Sequence, residues 1–396
     1  MMAGAAPAIM LVAGEASGDL HGASLCRALR ALEPSCRLFG MGGARMGAAG
    51  MDLMEDVTAT AVVGHREAVG QVPRLYRAYR KLRAALSGPE RPGVLVLIDF
   101  PEFNLRLARA ARRAGVPVVY FIPPQIWAWR GHRVRAIRRF VSLVLAVFPF
   151  ELPLYRQAEI PVEFVGHPLL DQIAGAPTRE SARHALGIDE GALVVGLLPG
   201  SRHNEVASVL PAMREATAQM SAAAPGARFV LGLAPTIDQR LVESLLRGGP
   251  PVEVVAGQTY AVVRAADLLL VTSGTVTLEA ALLGTPMVVC YRLSRVSEIF
   301  VRLLIRVPWV SLANLTLGRA VVPELYQRAM TGDRLAGAAL PLLKDAGARE
   351  TQRAAFGELA SQLGEPGVGT RAARLVLAQA QGQCAAAALG ARRANE

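Results

Sequence analysis

The strongest constraint on this chain is a rhythm that runs through it twice. Short apolar runs rich in valine, isoleucine and leucine alternate with helical patterns. In the first half the runs are Ala8–Gly14 (AIMLVAG), Gly93–Phe100 (GVLVLIDF), Val116–Ile122 (VPVVYFI) and Ser142–Phe150 (SLVLAVFPF). His21–Leu32, the basic run Arg74–Leu86 and Asn104–Gly115 carry helical spacing between them. Runs that are apolar throughout suit strands buried on both faces, as in a parallel sheet covered by helices. The alternation therefore predicts βαβ units.

The series restarts after Asp171, with runs at Leu193–Gly200, Arg228–Ala234, Val252–Gly257, Ala266–Gly274 and Thr285–Tyr291. The segment Val165–Glu180 carries glycine and proline and reads as the boundary. The expected fold is α/β: two doubly wound Rossmann-like domains, residues 1–168 and 169–350, with parallel sheets facing across a cleft. A helical, alanine-rich tail, residues 351–396, is expected to pack back on the first domain. A chain of 396 residues, 52% hydrophobic, is long enough for two such cores. Open parallel sheets bind ligands beyond the carboxyl ends of their strands, so the loops after the strands are the ones to inspect.

The formal charge is +11, which favours phosphorylated substrates, anionic lipid or nucleic acid as partners. Only Lys81 and Lys344 among the basic residues are lysine, a bias that GC-rich coding also produces. Cys26, Cys36, Cys290 and Cys384 form no CxxC pair, so neither a zinc site nor a disulfide framework is indicated. The histidines, among them His65 and His132, show no HExxH spacing, and no metal is expected. The amino terminus lacks the basic region of a signal peptide and reads as mature protein. No window reaches the ~18 uninterrupted apolar residues of a spanning helix. A cytoplasmic setting follows, with room for contact with a membrane surface.

Two loops in the second half look built for an anion. In LLPGSRHNEV (Leu197–Val206) a glycine permits close backbone approach, and free N–H groups at a helix start favour negative charge. Arg202 adds a forked donor suited to phosphate, and Glu205 is placed to cap the helix or accept from a ligand hydroxyl. An ordinary helix start with a solvated arginine is the competing reading. In VTSGTVTLEAALLGTPMVV (Val271–Val289), Ser273, Gly274 and Thr275 again offer amides and hydroxyls, and Glu279 lies one turn on, where a carboxylate can accept from a ribose diol. Neither loop fits the P-loop or the GxGxxG fingerprint. In the first half GEASGDLHG (Gly14–Gly22) is small and acidic, with Glu15, Ser17 and Asp19. It suits sugar hydroxyls better than phosphate. Phe39–Met51 reads as a glycine loop with Arg45. LIDFPEFN (Leu97–Asn104) ends a buried strand with Asp99, Glu102 and Asn104. A carboxylate just past an apolar strand has its pKa raised by burial, as a general base requires, although helix capping is the simpler role.

Eight motifs in order, AGEASGD, GMGGARM, IDFPEFN, WAWR, FVGHPL, LLPGSR, SGTVTLE and SLANLTLGRAVVPELYQ, resemble the lipid-A-disaccharide synthase family over roughly residues 8–330. The family is similar to nucleotide-sugar glycosyltransferases of the two-Rossmann GT-B fold. The resemblance implies an inverting transfer of 2,3-diacylglucosamine from UDP-2,3-diacylglucosamine to the 6-hydroxyl of 2,3-diacylglucosamine 1-phosphate, without metal or other cofactor. It implies peripheral association with the inner face of the cytoplasmic membrane, no nucleic-acid partner, and leaves a homodimer open. For the donor it implies Gly200, Ser201, Arg202 and Ser273–Thr275 on the diphosphate and Glu279 on the ribose. Asn314, Glu324 and Gln327 would line the same region. For the acceptor it implies Glu15, Ser17, Asp19 and Asn104, with Asp99 as the candidate base and Glu15 as the second. Val57–Leu86 and Ser297–Val310 mix apolar and basic residues as interfacial segments do. Another UDP-sugar transferase or an epimerase is the alternative within this architecture. A nucleic-acid protein using Arg130–Arg139 is the alternative outside it.

Overall fold

The computed structural model describes residues 6–56, 68–89, 91–124, 131–292 and 309–382, without the side chains of residues 68–72, 131 and 132. The WAWR motif, His65, Cys384, the start of the Val57–Leu86 segment and nearly all of Ser297–Val310 lie outside them. The chain divides into two compact units. One is Met1–Pro168 with Glu365–Glu396, the other Leu169–Gly364.

In the first unit the order is β1 (Ala8–Ala13), α1 (Ala16–Leu32), β2 (Arg37–Gly42), α2 (Ala44–Ala48), β3 (Asp52–Asp56), α3 (Ala68–Ser87), β4 (Val94–Ile98), α4 (Pro101–Arg113), β5 (Val118–Phe121), α5 (Gly131–Phe140), β6 (Leu143–Ala146), α6 (Leu152–Gln157) and β7 (Val162–Phe164). The sheet order is β3-β2-β1-β4-β5-β6-β7, parallel at every pairing. The direction of winding therefore reverses between β1 and β4. Successive side chains of a strand face opposite sides. Met10 and Val12 of β1 join a core with Leu82 of α3 and Leu107 of α4. Ile9 and Leu11 face the other way, and all four are fully buried. Each such burial contributes about 1.5–3 kcal/mol. This explains why the runs have no polar alternation.

The second unit repeats the scheme: α7 (Leu169–Ile173), α8 (Arg179–Ala185), β8 (Val194–Leu198), α9 (His203–Ala223), β9 (Arg228–Leu233), α10 (Gln239–Leu246), β10 (Val252–Ala256), α11 (Thr259–Ala265), β11 (Leu268–Thr272), α12 (Thr275–Leu282), β12 (Met287–Tyr291), α13 (Leu312–Leu317), β13 (Glu324–Tyr326), α14 (Gly332–Lys344) and α15 (Ala346–Gln362). Its sheet runs β10-β9-β8-β11-β12-β13, again parallel, and reverses between β8 and β11. Val195, Leu197, Leu268 and Leu270 pack under Val209 and Met213 of α9 and Leu335 of α14. The chain then closes with α16 (Val368–Ala380), which packs on α1 of the first unit, whereas α15 packs on α12, α13 and α14 of the second.

Every apolar run named from the sequence is a strand. Four further strands gave no clear signal. β3, β7 and β13 are short, and β2 hides in the stretch that reads as a glycine loop. There Gly40, at φ 143°, sits so close to Leu11 that a Cβ would overlap the Leu11 carbonyl, and the β2–β3 register slips beside it. That glycine serves a bulge inside a sheet, not a loop.

Candidate functional site

In each unit the loops singled out from the sequence flank the strand-order reversal, the place where open α/β sheets leave a crevice for ligands. In the first unit they follow β1 and β4. In the second they follow β8 and β11.

The first unit builds a rigid seat for one carboxylate. β4 ends at Ile98 and α4 begins at Pro101, so the chain turns within two residues. Asp99 and Phe100 meet that demand with φ of 48° and 46°. Such strain in non-glycine residues costs about 1–3 kcal/mol each and persists only where neighbours enforce it. Here Asn104, fully buried, donates from Nδ2 to the carbonyls of Ile98 (3.2 Å) and Asp99 (2.6 Å). The Tyr120 hydroxyl donates to the same Asp99 carbonyl at 2.8 Å. Burial raises the Asp99 carboxyl above its ordinary value, partly opposed by the Phe100 N–H. The result is a partly desolvated carboxylate on a backbone that cannot swing away.

The other first-unit residues take different places. Glu15 and Ser17 are exposed at the start of α1. Asp19 is 5% exposed, and its two oxygens accept from the N–H groups of Gly43 (2.8 Å), Arg45 (3.2 Å) and Met46 (3.0 Å). It caps α2 and ties the first loop to the second. Asn104 is a clamp for the Asp99 turn, although its Oδ1 is buried with no hydrogen-bond partner among the described residues. Sequence reasoning missed Tyr120, which reads simply as part of a strand. It found no metal-type spacing around His21, and it left His167, in the VGHP stretch, either to contact ligand or to fix the turn. Burial holds them neutral, at about 4 and about 3, and His167 lies against Phe148 with ring centroids 4.8 Å apart.

The second unit presents two helix starts side by side, because β8 and β11 are neighbours. Gly200 has φ 119°, and a Cβ there would come within 2.8 Å of Glu205 Oε2, so only glycine lets the loop fold under that carboxylate. Arg202 is 78% exposed at the side chain and meets Glu205 at 2.6 Å. The Thr236 hydroxyl donates to the Ser201 carbonyl at 2.6 Å and fixes the loop. Across from it, Gly274 is the extended residue before α12, and Ser273 and Thr275 flank it. Glu279 lies one turn further in, its carboxyl raised by burial and lowered by a hydrogen bond from Tyr260. That tyrosine, itself pushed up to about 12 by burial and by the Glu279 charge, was not foreseen.

The SLANLTLGRAVVPELYQ block is held differently. Asn314 is fully buried and saturated: Oδ1 accepts from Val321 (2.7 Å) and Val322 (3.0 Å), and Nδ2 donates to Val322 O and Glu324 Oε1. Glu324 accepts from the Val310 and Ser311 N–H groups at 2.8 and 3.0 Å. These residues shape the backbone ahead of α13. Gln327, at φ 56°, follows β13 directly. Among the described residues no group of three or more His, Cys, Asp or Glu side chains is placed to hold a metal ion.

Two parallel α/β units, each wound in both directions from its first strand, make the GT-B fold. The glycosyltransferase of kitacinnamycin shares this fold, with a TM-score of 0.62 and 21% identity over 94% of this chain and 99% of that one. A family model described as lipid-A-disaccharide synthetase matches residues 9–377. The lipid-A-disaccharide synthase of Myxococcus xanthus is 43% identical over 372 residues, covering 94% of this chain and 97% of that protein. Its counterpart from Syntrophotalea carbinolica is 42% identical over 369 residues, 93% and 94% respectively. The chain belongs to the lipid-A-disaccharide synthase family, and its role is that of a glycosyltransferase in lipid A biosynthesis.

Proposed function

We propose that the chain joins two acylated glucosamines: the sugar of UDP-2,3-diacylglucosamine is transferred to the 6-hydroxyl of 2,3-diacylglucosamine 1-phosphate. The observation that carries this reading is the pairing of unlike loops at equivalent places: a clamped carboxylate at the first reversal and two adjacent helix starts at the second. The diphosphate sits on the amides after Gly200 and Gly274, with the hydroxyls of Ser201, Ser273 and Thr275 and the guanidinium of Arg202. Glu205 orients Arg202. Glu279, held by Tyr260, takes the ribose.

Asp99 takes the proton of the acceptor's 6-hydroxyl as its oxygen bonds to the anomeric carbon of the donor. The bond from that carbon to the diphosphate breaks, and UDP leaves with the electron pair. One displacement on an α-linked donor gives a β-linked product, so no covalent intermediate is needed. Helix amides and Arg202 stabilise the charge that develops on the leaving group. Glu15 and Ser17 contact the acceptor, and Glu15 is the second choice of base. Asp19, Asn104, Asn314 and Glu324 act as positioning residues, since their polar atoms are largely committed to backbone groups. Gln327 lines the donor region.

The same reading places the enzyme on a membrane surface, because both substrates carry acyl chains and the protein is basic. Among the described residues no helix is long and apolar enough to cross a bilayer. The decisive assay is UDP release from UDP-diacylglucosamine in EDTA, with and without the acylated glucosamine 1-phosphate. Release that requires the acceptor and tolerates EDTA is expected. Release indifferent to the acceptor would refute the transfer.

A further inference from the structure

Beside the Asp99 turn, a groove of about 890 Å³ runs between α3 and α4. Its floor is aromatic. Phe100 stacks on Phe103 with centroids 5.4 Å apart, and Tyr79 meets Phe103 edge-on at 6.1 Å. Tyr76 completes this surface and is 62% exposed, an unusual expense for so large an apolar side chain. The rim carries Arg83 from α3 and Arg106, Arg109 and Arg113 from α4, all exposed.

The three arginines of α4 stand at i, i+3 and i+7, on one side of the helix, where like charges repel. Among the described residues none of the four has a carboxylate partner. Among the described lining residues the one acid is Glu102, which is paired with Arg133 at 2.6 Å. A helix face with solvated arginines alone needs no aromatic trough beneath it. An apolar trough alone needs no uncompensated cations along its edge. Together they match an amphipathic anion: an acyl chain below and a phosphate above.

The position of the groove selects among such anions. Its upper end is Phe100, the residue next to Asp99, and it extends from there along α4 to Ala114. A chain lying in it would thus start beside the turn that carries the proposed base. We infer that the α3–α4 groove holds an acyl chain of the phosphorylated acceptor, with Arg106, Arg109, Arg113 and Arg83 drawing its phosphate. This rests on the transfer reaction proposed above and adds to it the element that recognises the acceptor as a lipid. Bulk anionic phospholipid is the rival occupant, and the groove's continuity with the Asp99 turn favours the substrate.

The test uses the full chain, UDP-diacylglucosamine, and two acceptors that differ only in acyl length, one long and one of a few carbons. Replacing Arg106, Arg109 and Arg113 together with glutamine changes only exposed side chains. It should raise KM for the long-chain acceptor at least ~10-fold at low salt, with UDP affinity by calorimetry as the folding control. Ala110→Phe fills the groove and should raise KM for the long acceptor while sparing the short one. If both variants keep the wild-type KM for the long acceptor, the groove does not hold it and the inference falls, with the transfer reaction intact. If the variants lose binding to phosphatidylglycerol vesicles yet keep that KM, the occupant is membrane lipid and the inference again falls. If the wild type itself releases no UDP with either acceptor, the proposed reaction fails instead.

Discussion

The two strand-order reversals make a controlled comparison. Both units wind their sheets in the same order, and both place two loops at the reversal, yet the chemistry of the loops is opposite. At the first, the turn after β4 is made by Asp99 and Phe100 in left-handed conformations, locked by Asn104 and Tyr120. At the second, Gly200 turns with φ 119° and Gly274 is the extended residue ahead of α12, and each precedes a helix start. Strain bought with side-chain clamps holds a carboxylate still. Gly200 lets its loop fold under the Glu205 carboxylate. The fold supplies the location in both cases, and a few loop residues decide whether a carboxylate or a glycine stands there.

The largest expected effect breaks the first side of this comparison. Asp99→Asn should lower turnover ~10²-fold or more while leaving UDP affinity by calorimetry unchanged. It should also raise the melting temperature at neutral pH. The folded-state pKa of Asp99 lies above its unfolded value, so its favourable contribution is complete only below the unfolded pKa and is lost as pH rises through the folded one. At pH 7 the ionised group is a cost, which asparagine removes. Wild-type turnover in this variant would take Asp99 out of the mechanism. In the wild type, the acid limb of the pH–rate profile should lie above the usual carboxylate range.

Breaking the other side should move a different quantity. Arg202→Ala or Glu279→Ala is expected to weaken UDP binding ~10-fold or more, a magnitude typical of one lost charge-assisted hydrogen bond. Unaltered calorimetric affinity in both would dismantle the anion cradle. Asp19→Ala sharpens the contrast between acting and positioning residues. It strips three N–H groups of their acceptor, so it should cost about 1–3 kcal/mol of stability in denaturant titrations, with UDP affinity preserved. Normal stability with a raised acceptor KM would instead return Asp19 to the ligand.

The smallest effect concerns His167. Its folded pKa of about 3 lies below the unfolded value, so its contribution is present above pH 6.5 and fades as pH falls toward that lower value. His167→Gln should flatten the decline in melting temperature between pH 6.5 and 4. An unchanged slope would assign that decline to other groups.

Legibility from sequence followed the range of the forces involved. The sheet, its parallel sense and its doubling were readable because each strand's burial is written in its own contiguous apolar run. β3, β7 and β13 were not, since three to five residues at or near a sheet margin leave too little pattern. The loops could be located, and Gly200, Arg202 and Glu279 read in their local context, because a strand-to-helix turn is a local event. The use of the remaining polar residues was not readable. Asp19 reaches amides 24 to 27 residues away, and Tyr120 reaches back 21 residues to Asp99. A carboxylate that will meet ligand and one that will cap a distant helix look alike until the chain has folded.

What the sequence determined by itself, then, was the layered α/β architecture and the position of the loops, because hydrophobic periodicity is a property of neighbours. Which carboxylate stays available, which amide serves only as a clamp, and where arginines from two helices line one aromatic groove were settled by tertiary structure alone. Hydrogen bonds and charge clusters depend on distances in space, and only packing brings those partners within reach.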